Sequence, residues 1–489
     1  MYFLSGLVSS ISLNITFPSG KLGNLKSSSE SNNIEKYDLI VIGSGAGLEV
    51  AHAAAQSGLK VAIVEKSKMG GTCLNRGCIP SKLLIHSADI VETIRTAHLF
   101  GINVEKYSID FQKIVQRVNN LIDSDSSDIR NSFGNSENPK LFTSECKFVA
   151  EKTLLIGNEK IYSNKILIAA GTRPFIPQIK GLETTNYVTS DQALRLDKQP
   201  QVLTIIGGGF IAAELGHYFG SLGTVINIIQ KRKSLIPNED EQISKKFTEI
   251  FSTKYNVHLE CSPELVTKKD DKFVVLAKSS GSNKTLEIES DQLLIATGRV
   301  PNSDTLDLTR TGVDVDENGF TKVDRTLATN VEGISALGDI IGRYQFRHSA
   351  NLEAQYAFYN IFNQMKKIQV DYSAMPHAIF SSPQVAGVGY TEQDLKKTSK
   401  KGYDKSIYRY IDTAMGKAIE EREGFVKFLV SKENRKILGC HIIGSQASIL
   451  IHEVLVAMKS GNGSIDNISK TVHIHPALSE VISRGAVTI

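Results

Sequence analysis

The chain is punctuated by short, unalternating apolar runs that close on glycine. The first is Tyr37-Asp38-Leu39-Ile40-Val41-Ile42, which ends in Gly43-Ser44-Gly45-Ala46-Gly47. An apolar run without polar alternation is the pattern of a parallel strand buried on both faces. Helix-forming residues follow, Val50-Ala51-His52-Ala53-Ala54-Ala55, and Gly58 stops them. A second strand, Val61-Ala62-Ile63-Val64, closes on Glu65, so the segment predicts a βαβ unit. The pattern then repeats. Val202-Leu203-Thr204-Ile205-Ile206 leads into Gly207-Gly208-Gly209, a helix runs to Gly220 or Gly223, and Val225-Ile226-Asn227-Ile228-Ile229 ends on Gln230. Gly58 to Glu65 and Gly223 to Gln230 cover the same span, so Gln230 holds in the second unit the place of Glu65 in the first. Two further strand-glycine segments, Ile166–Gly171 and Leu293–Gly298, would return the chain out of each βαβ unit. Residues 107–140 are polar and helix-like and read as a surface element of the first domain.

From about residue 366 no glycine fingerprint recurs. Strand-like Gly424–Val430 precedes a helix at Ile449–Leu455, as in a separate α+β domain. The fold class predicted is therefore α/β, with two Rossmann-like dinucleotide-binding domains and an α+β domain. The expected boundaries are 37–186 with 299–365, then 187–298, then 366–489.

Composition narrows the function classes. A length of 489 residues suggests roughly three domains. Lys and Arg number 56 against 52 Asp and Glu, too small an excess to argue for nucleic acid binding. No apolar stretch reaches the roughly 18 residues a membrane span needs. Residues 1–36 are Ser- and Asn-rich and lack basic residues before their apolar start. They read as a disordered or mis-started extension rather than a signal peptide, and the expected location is cytoplasmic. Five cysteines are too few and odd in number for a secreted disulfide framework.

A glycine turn between strand and helix lets backbone N–H groups meet a pyrophosphate at the helix N-terminus. Gly43 and Gly45, with the acidic Glu65 at the second strand end to bond a ribose hydroxyl, satisfy that context. The third glycine position is Leu48, which predicts slightly looser helix–strand packing. The second turn is Gly207, Gly209 and Ala212, and its ribose position is Gln230, followed by Lys231, Arg232 and Lys233. A cationic run there would take a 2′-phosphate and favour NADPH over NADH; the alternative is a solvated basic loop.

The stretch Gly70-Gly71-Thr72-Cys73-Leu74-Asn75-Arg76-Gly77-Cys78-Ile79-Pro80-Ser81-Lys82 carries the most chemistry. Zinc would need a second Cys or His pair nearby, and none is present, so no metal is expected. A redox-active disulfide fits better. Helix-start signals follow Cys78, and Lys82 is close, so a thiolate at Cys78 is favoured by both.

This cassette resembles that of the class I pyridine nucleotide–disulfide oxidoreductases, a family that includes dihydrolipoamide dehydrogenase, glutathione reductase, mycothione reductase and mercuric reductase. The resemblance covers residues 37–489 and takes in both glycine turns, Ala336-Leu337-Gly338-Asp339 and His473-Ile474-His475-Pro476-Ala477-Leu478-Ser479-Glu480. It implies FAD at the first turn, NADPH or NADH at the second and a C-terminal dimerisation domain. It implies Cys73 as the interchange thiol, Cys78 as the thiol facing the flavin, Lys82 beside the flavin with Glu214 as its partner, and Asp339 on the ribityl chain. The cofactor residues it implies are Gly43, Gly45, Gly47, Glu65, Lys66, Gly71, Thr72, Gly171, Gly338 and Asp339, together with Gly207, Gly209, Ala212, Lys231, Arg232 and Gly298. Phe210 stands where the family usually gates the nicotinamide pocket with tyrosine.

His475 with Glu480 matches the family's acid–base dyad, acting on the disulfide of the other subunit of a homodimer. His473 reads as structural, and Cys146, Cys261 and Cys440 as inert core thiols. The function expected is FAD-dependent oxidoreduction between NAD(P)(H) and a disulfide or dithiol. It is dihydrolipoamide dehydrogenase-like by cassette, or NADPH-dependent reduction of a low-molecular-weight disulfide by cofactor loop. A place in a 2-oxoacid dehydrogenase complex stays open. Less favoured are a low-turnover redox sensor and a mercuric reductase, whose C-terminal cysteine pair is missing. Arg76, where the family usually has valine, would either meet an anionic substrate or face solvent.

Overall fold

The computed structural model describes residues 34–281, 284–363, 365–398 and 402–489. It falls into two units, one built from residues up to 67, 130–171 and 301–370, the other from 68–129, 172–300 and 371–489.

The first unit is organised by a five-stranded parallel sheet in the order Ile334–Ala336, Ile166–Ile168, Leu39–Ile42, Val61–Val64, Lys140–Phe142. The strands Leu39–Ile42, Val61–Val64 and Ile166–Ile168 are buried at every residue, which is why their sequences do not alternate. Helix α1, Gly47–Gln56, follows the central strand. The run from Tyr37 to Ile42 is not one strand. It breaks at Asp38, whose carboxylate accepts the Lys60 N–H at 2.8 Å. Glu35–Tyr37 pairs instead with Glu159–Ser163 of a second sheet. Glu35 also makes ion pairs with Lys60 at 3.0 Å and Lys140 at 2.8 Å. Glu35 and Lys36 therefore belong to the fold and not to a terminal extension; residues 1–33 lie outside the described residues.

The second unit repeats the design. Its parallel sheet runs Val188–Thr189, Gln292–Ile295, Val202–Ile206, Val225–Gln230, Asn256–Leu259. In each unit, three antiparallel strands are inserted before the strand that returns beside the glycine-turn strand: Cys146–Ala150, Thr153–Ile156 and Glu159–Ser163 in one, Cys261–Lys269, Lys272–Ser279 and Thr285–Ser290 in the other. The helices of this unit before residue 300 are α2, Gly71–Arg76; α3, Cys78–Thr96; α4, Phe111–Gly134, which continues past residue 129; α5, Ser190–Ala193; α6, Phe210–Ser221; and α7, Glu241–Lys254.

Residues 68–129 group with the second unit. Leu84, Ile85, Ala88 and Val91 of α3 and Val115, Val118 and Ile122 of α4 share one core with Leu203, Ile205 and Phe219. The buried positions of α4 recur at helical spacing, and its polar residues cover the outside. Beyond residue 371, a five-stranded antiparallel sheet in the order Pro376–Ile379, Val385–Gly389, Ile437–Ile443, Phe425–Ser431, Tyr403–Arg409 packs on helices Ala447–Lys459 and Glu480–Val487. A fully buried Lys427 is bonded to Asp240 at 2.8 and 2.9 Å and to Glu392 at 2.7 Å. This joins α7 to the last sheet. Among the described residues, no helix is long and apolar enough to cross a membrane.

Candidate active site

The two glycine turns have the same geometry. Gly43 has φ +104°, and a Cβ there would lie 2.3 Å from the Ala169 carbonyl oxygen; Gly207 has φ +114°, and its Cβ would lie 2.2 Å from the Ala296 carbonyl oxygen. In both, the first glycine is required by backbone conformation and by the neighbouring strand end. At Gly45 and Gly209 an added Cβ would meet nothing, so open space lies where a pyrophosphate must approach. Neither α1 nor α6 has a side-chain cap; in α6 this leaves the first N–H groups for an anion, while in α1 Leu48 and Glu49 donate to the Gly45 and Ala46 carbonyls at 3.3 and 3.2 Å.

The looser packing expected from Leu48 is not found. A Cβ at Gly47 would stand 2.7 Å from Val41 Cγ1, so Gly47, one position earlier, brings the helix close to its strand. Leu48 is itself buried. Glu65 ends its strand with one oxygen accepting from Ser44 N–H at 2.9 Å and Ser44 Oγ at 2.6 Å, and the other from Ser67 N–H at 2.8 Å. Lys66 faces solvent in an ion pair with Glu145 at 3.3 Å. Gly338 is left-handed at φ +76° and donates its N–H to buried Glu353 at 2.6 Å, which fixes the turn carrying Asp339. Gly171 and Gly298 also lie at positive φ, +65° and +124°.

In the second unit Ala212 is buried in α6. Gln230 is buried too, and its amide donates to the Ser234 carbonyl at 3.1 Å. Lys231, Arg232 and Lys233 are exposed directly beyond it.

The cysteines sit on either side of a helix break. Gly70 and Gly71, both left-handed, start α2; Gly77 ends it, and a Cβ there would crowd the Thr72 carbonyl oxygen at 3.0 Å. Cys73 lies inside α2 and Cys78 is the first residue of α3, both as free thiols. The hydrogen bond with Cys73 brings the Cys78 thiol down to about 7; burial opposes this and the Lys82 charge assists. The positive end of the long helix α3 acts in the same direction. Burial drives the other thiols the opposite way: Cys146 to about 12, with Cys261 and Cys440 also raised.

Lys82 and Glu214 form a two-pronged contact at 2.9 and 2.8 Å between α3 and α6. Glu214 is buried and also accepts the Phe380 N–H at 3.0 Å, while the Lys82 ammonium lies 4.6 Å from the centre of the Phe380 ring. Phe210 is exposed at the start of α6.

His475 is exposed, and its Nδ1 lies 3.1 Å from both oxygens of buried Glu480. The imidazole holds the Glu480 carboxyl below its usual range despite burial. His473 is engaged elsewhere, by Glu453 on one nitrogen and the Thr471 carbonyl at 2.9 Å on the other.

Residues 37–354 match the model of the pyridine nucleotide-disulphide oxidoreductase family, and residues 375–486 match that of its dimerisation domain. The chain belongs to this family. Such oxidoreductases bind FAD, take NAD(P)H as electron donor and act on disulfides as homodimers. The chain is 35% identical over 470 residues to mycothione reductase from Mycobacterium tuberculosis, covering 92% of this chain and 99% of that one. It is 33% identical over 472 residues to dihydrolipoyl dehydrogenase from Bacillus subtilis, covering 92% and 98%. Among solved structures, the HOCl-induced flavoprotein disulfide reductase RclA from Escherichia coli superposes with a TM-score of 0.82 at 25% identity, covering 93% and 100%.

The open space at Gly45 and Gly209 and the uncapped helix starts behind them fit the two dinucleotides this oxidoreductase family uses. Several residues around the thiols were missed from sequence. Phe380 grips the Lys82–Glu214 pair, and Asp191 stands 3.6 Å from the half-exposed Arg76 guanidinium. Asn75 and Arg195 hold α2. The Phe380–Glu214, Arg76–Asp191 and Arg195–Asn75 contacts join segments separated by over a hundred residues, and no local spacing announces them.

Proposed function

We propose that this oxidoreductase uses NADPH to reduce a low-molecular-weight disulfide. The observation that carries the nucleotide preference is the neutral, buried Gln230 followed by exposed Lys231 and Arg232. A carboxylate at this place would repel a 2′-phosphate; an amide does not, and two cations attract it. The flavin supplies the two-electron relay between nicotinamide and dithiol. The protein's own residues do the rest. Lys82 and Glu214 keep a fixed charge pair beside the relay. Cys73 attacks the substrate disulfide as thiolate, forming one S–S bond as the substrate's breaks. His475, oriented by Glu480, gives a proton to the departing thiolate. Cys78 thiolate then displaces the second substrate thiol from Cys73 and re-forms the intramolecular disulfide. The domains carrying these steps are read as FAD-binding, NAD(P)-binding and dimerisation, in that order.

A second reading is oxidation of a dihydrolipoyl dithiol, favoured by the likeness of Cys73–Lys82 and His473–Glu480 to dihydrolipoamide dehydrogenase. Turnover of lipoamide, glutathione disulfide and other small disulfides with each nicotinamide decides between them. The reading expects NADPH with a non-lipoyl disulfide to be best; NADH with lipoamide best refutes it. His475→Ala should lower disulfide turnover by about 10²-fold while nucleotide binding persists.

A further inference from the structure

We propose that Arg76 and Asp191 form a charge couple that sets the acidity of Cys73, held in place by a brace made by Asn75 and Arg195. The proposal rests on Cys73 being the interchange thiol. Arg76 follows Cys73 by three residues within α2, so the two side chains share a helix face, with Cβ atoms about 5–6 Å apart. The guanidinium contacts Asp191 through a single 3.6 Å approach, with side-chain exposures of 40% and 22%. Such a long, half-exposed contact contributes little to stability. Its place beside a nucleophile gives it a different consequence: the cation favours the Cys73 thiolate, and the carboxylate tempers that cation.

The couple is held in position from both sides. Asn75 is buried, and its amide donates to the Met69 carbonyl at 2.8 Å and the Gly71 carbonyl at 3.0 Å, pinning the start of α2. Arg195, four residues beyond Asp191, donates to the Asn75 carbonyl at 3.4 Å and to Asp123 at 3.0 Å. One short segment, α5 and the turn after it, thus takes hold of the last turn of α2 twice. Burial raises the Asp191 carboxyl, and the Arg76 and then the Arg299 charge oppose that rise. Other charges near the couple include Arg299, which also acts on Asp191, and Arg195 with Asp123 at 3.0 Å; Lys82 with Glu214 stands on the Cys78 side, and Lys68 is paired with Asp123 at 2.7 Å. None of these changes in the variants below, which makes Arg76 and Asp191 positioning residues separable from the rest.

The test titrates Cys73 in the holoprotein carrying Cys78→Ser, by the pH dependence of alkylation at Cys73 read by mass spectrometry. No nucleotide or disulfide substrate is present, so the result is independent of whether the proposed turnover is correct. Asp191→Asn should leave Arg76 unopposed and raise the thiolate fraction near neutrality about threefold; Arg76→Met should lower it by a similar factor. Arg76→Lys should retain most of the parent acidity, and Arg76→Met with Asp191→Asn should return near the parent. A shift of both single variants in the same direction, or of neither, overturns the proposal, because disruption of α2 would not produce opposite signs. If Asp191→Asn fails to fold, the Arg76→Met and Arg76→Lys pair still decides: equal acidity in the two refutes the couple.

Discussion

Replacing Cys73 by alanine removes the largest influence on Cys78 acidity. The Cys78 thiol stands at about 7 against an ordinary value of 9.0, chiefly through the hydrogen bond with Cys73, with burial opposing and Lys82 assisting. At neutral pH that difference is between about half the molecules and about one in a hundred carrying the thiolate. Solvent screens part of the Lys82 contribution, whereas a direct hydrogen bond is screened less. An order of effects follows. Cys73→Ser keeps a donor and should leave Cys78 near its parent value. Lys82→Met should raise it moderately. Cys73→Ala should raise it most, cutting reactivity toward iodoacetamide at neutral pH by about 10-fold or more. The assay is the alkylation rate at Cys78 of the pre-reduced protein across pH. Thiolate is lost as pH falls through the operative value, so each rate profile gives that value directly. Cys73→Ala behaving as the parent, or Lys82→Met exceeding it, would refute the dominance of the thiol–thiol bond.

Lys427→Met leaves the buried Asp240 carboxylate without its ion-pair partner and Glu392 with only Lys405 and Lys396, and should cost about 3–5 kcal/mol in urea unfolding. In the parent, burial works against both carboxylates, yet Lys427 holds them low, Glu392 at about 2; their stabilisation is present above the ordinary carboxylate range and should fade as pH falls toward about 2. Gly47→Ala drives a methyl to 2.7 Å from Val41 Cγ1 and should destabilise the first unit by about 1–3 kcal/mol, seen as a lower Tm and weaker FAD retention. Replacing Lys231 and Arg232 by alanine should raise KM for NADPH at least several-fold and leave that for NADH nearly unchanged; equal effects on both nucleotides would make the basic run a solvated loop.

What the chain discloses in one dimension is what lies within one supersecondary unit. Gly43 and Gly207 are legible because their strand, turn and helix are consecutive, and the fully buried strands write themselves as unbroken apolar runs. The cysteine pair is legible for the same reason: α2, the Gly77 break and the start of α3 are contiguous. A motif template still misassigns a role when the same physical need is met one residue away. Helix α1 does approach its strand closely, through Gly47 and not at Leu48. The split at Asp38 was hidden because apolar residues continue across it; only the backbone pairing of Glu35–Tyr37 with Glu159–Ser163 separates two sheets.

The partners of charged side chains were the least legible, and they bear directly on the chemistry. Glu214 needs Phe380 as well as Lys82, and Arg76 finds Asp191 only because α5 is brought against α2. A charge in sequence carries no record of what faces it, so Arg76 read equally as solvated or substrate-binding. Folding adds a carboxylate at 3.6 Å that the sequence does not announce. The basic run at Lys231–Lys233 differs in kind. Its neighbour Gln230 is fixed by the strand register Asn227↔Asn256 to Gln230↔Leu259, so the backbone alone delivers the exposed cations to the strand end. Where register sets a charge's position, sequence suffices to locate it; where tertiary contact sets it, as at Arg76, the thiol's environment has to be read from the fold.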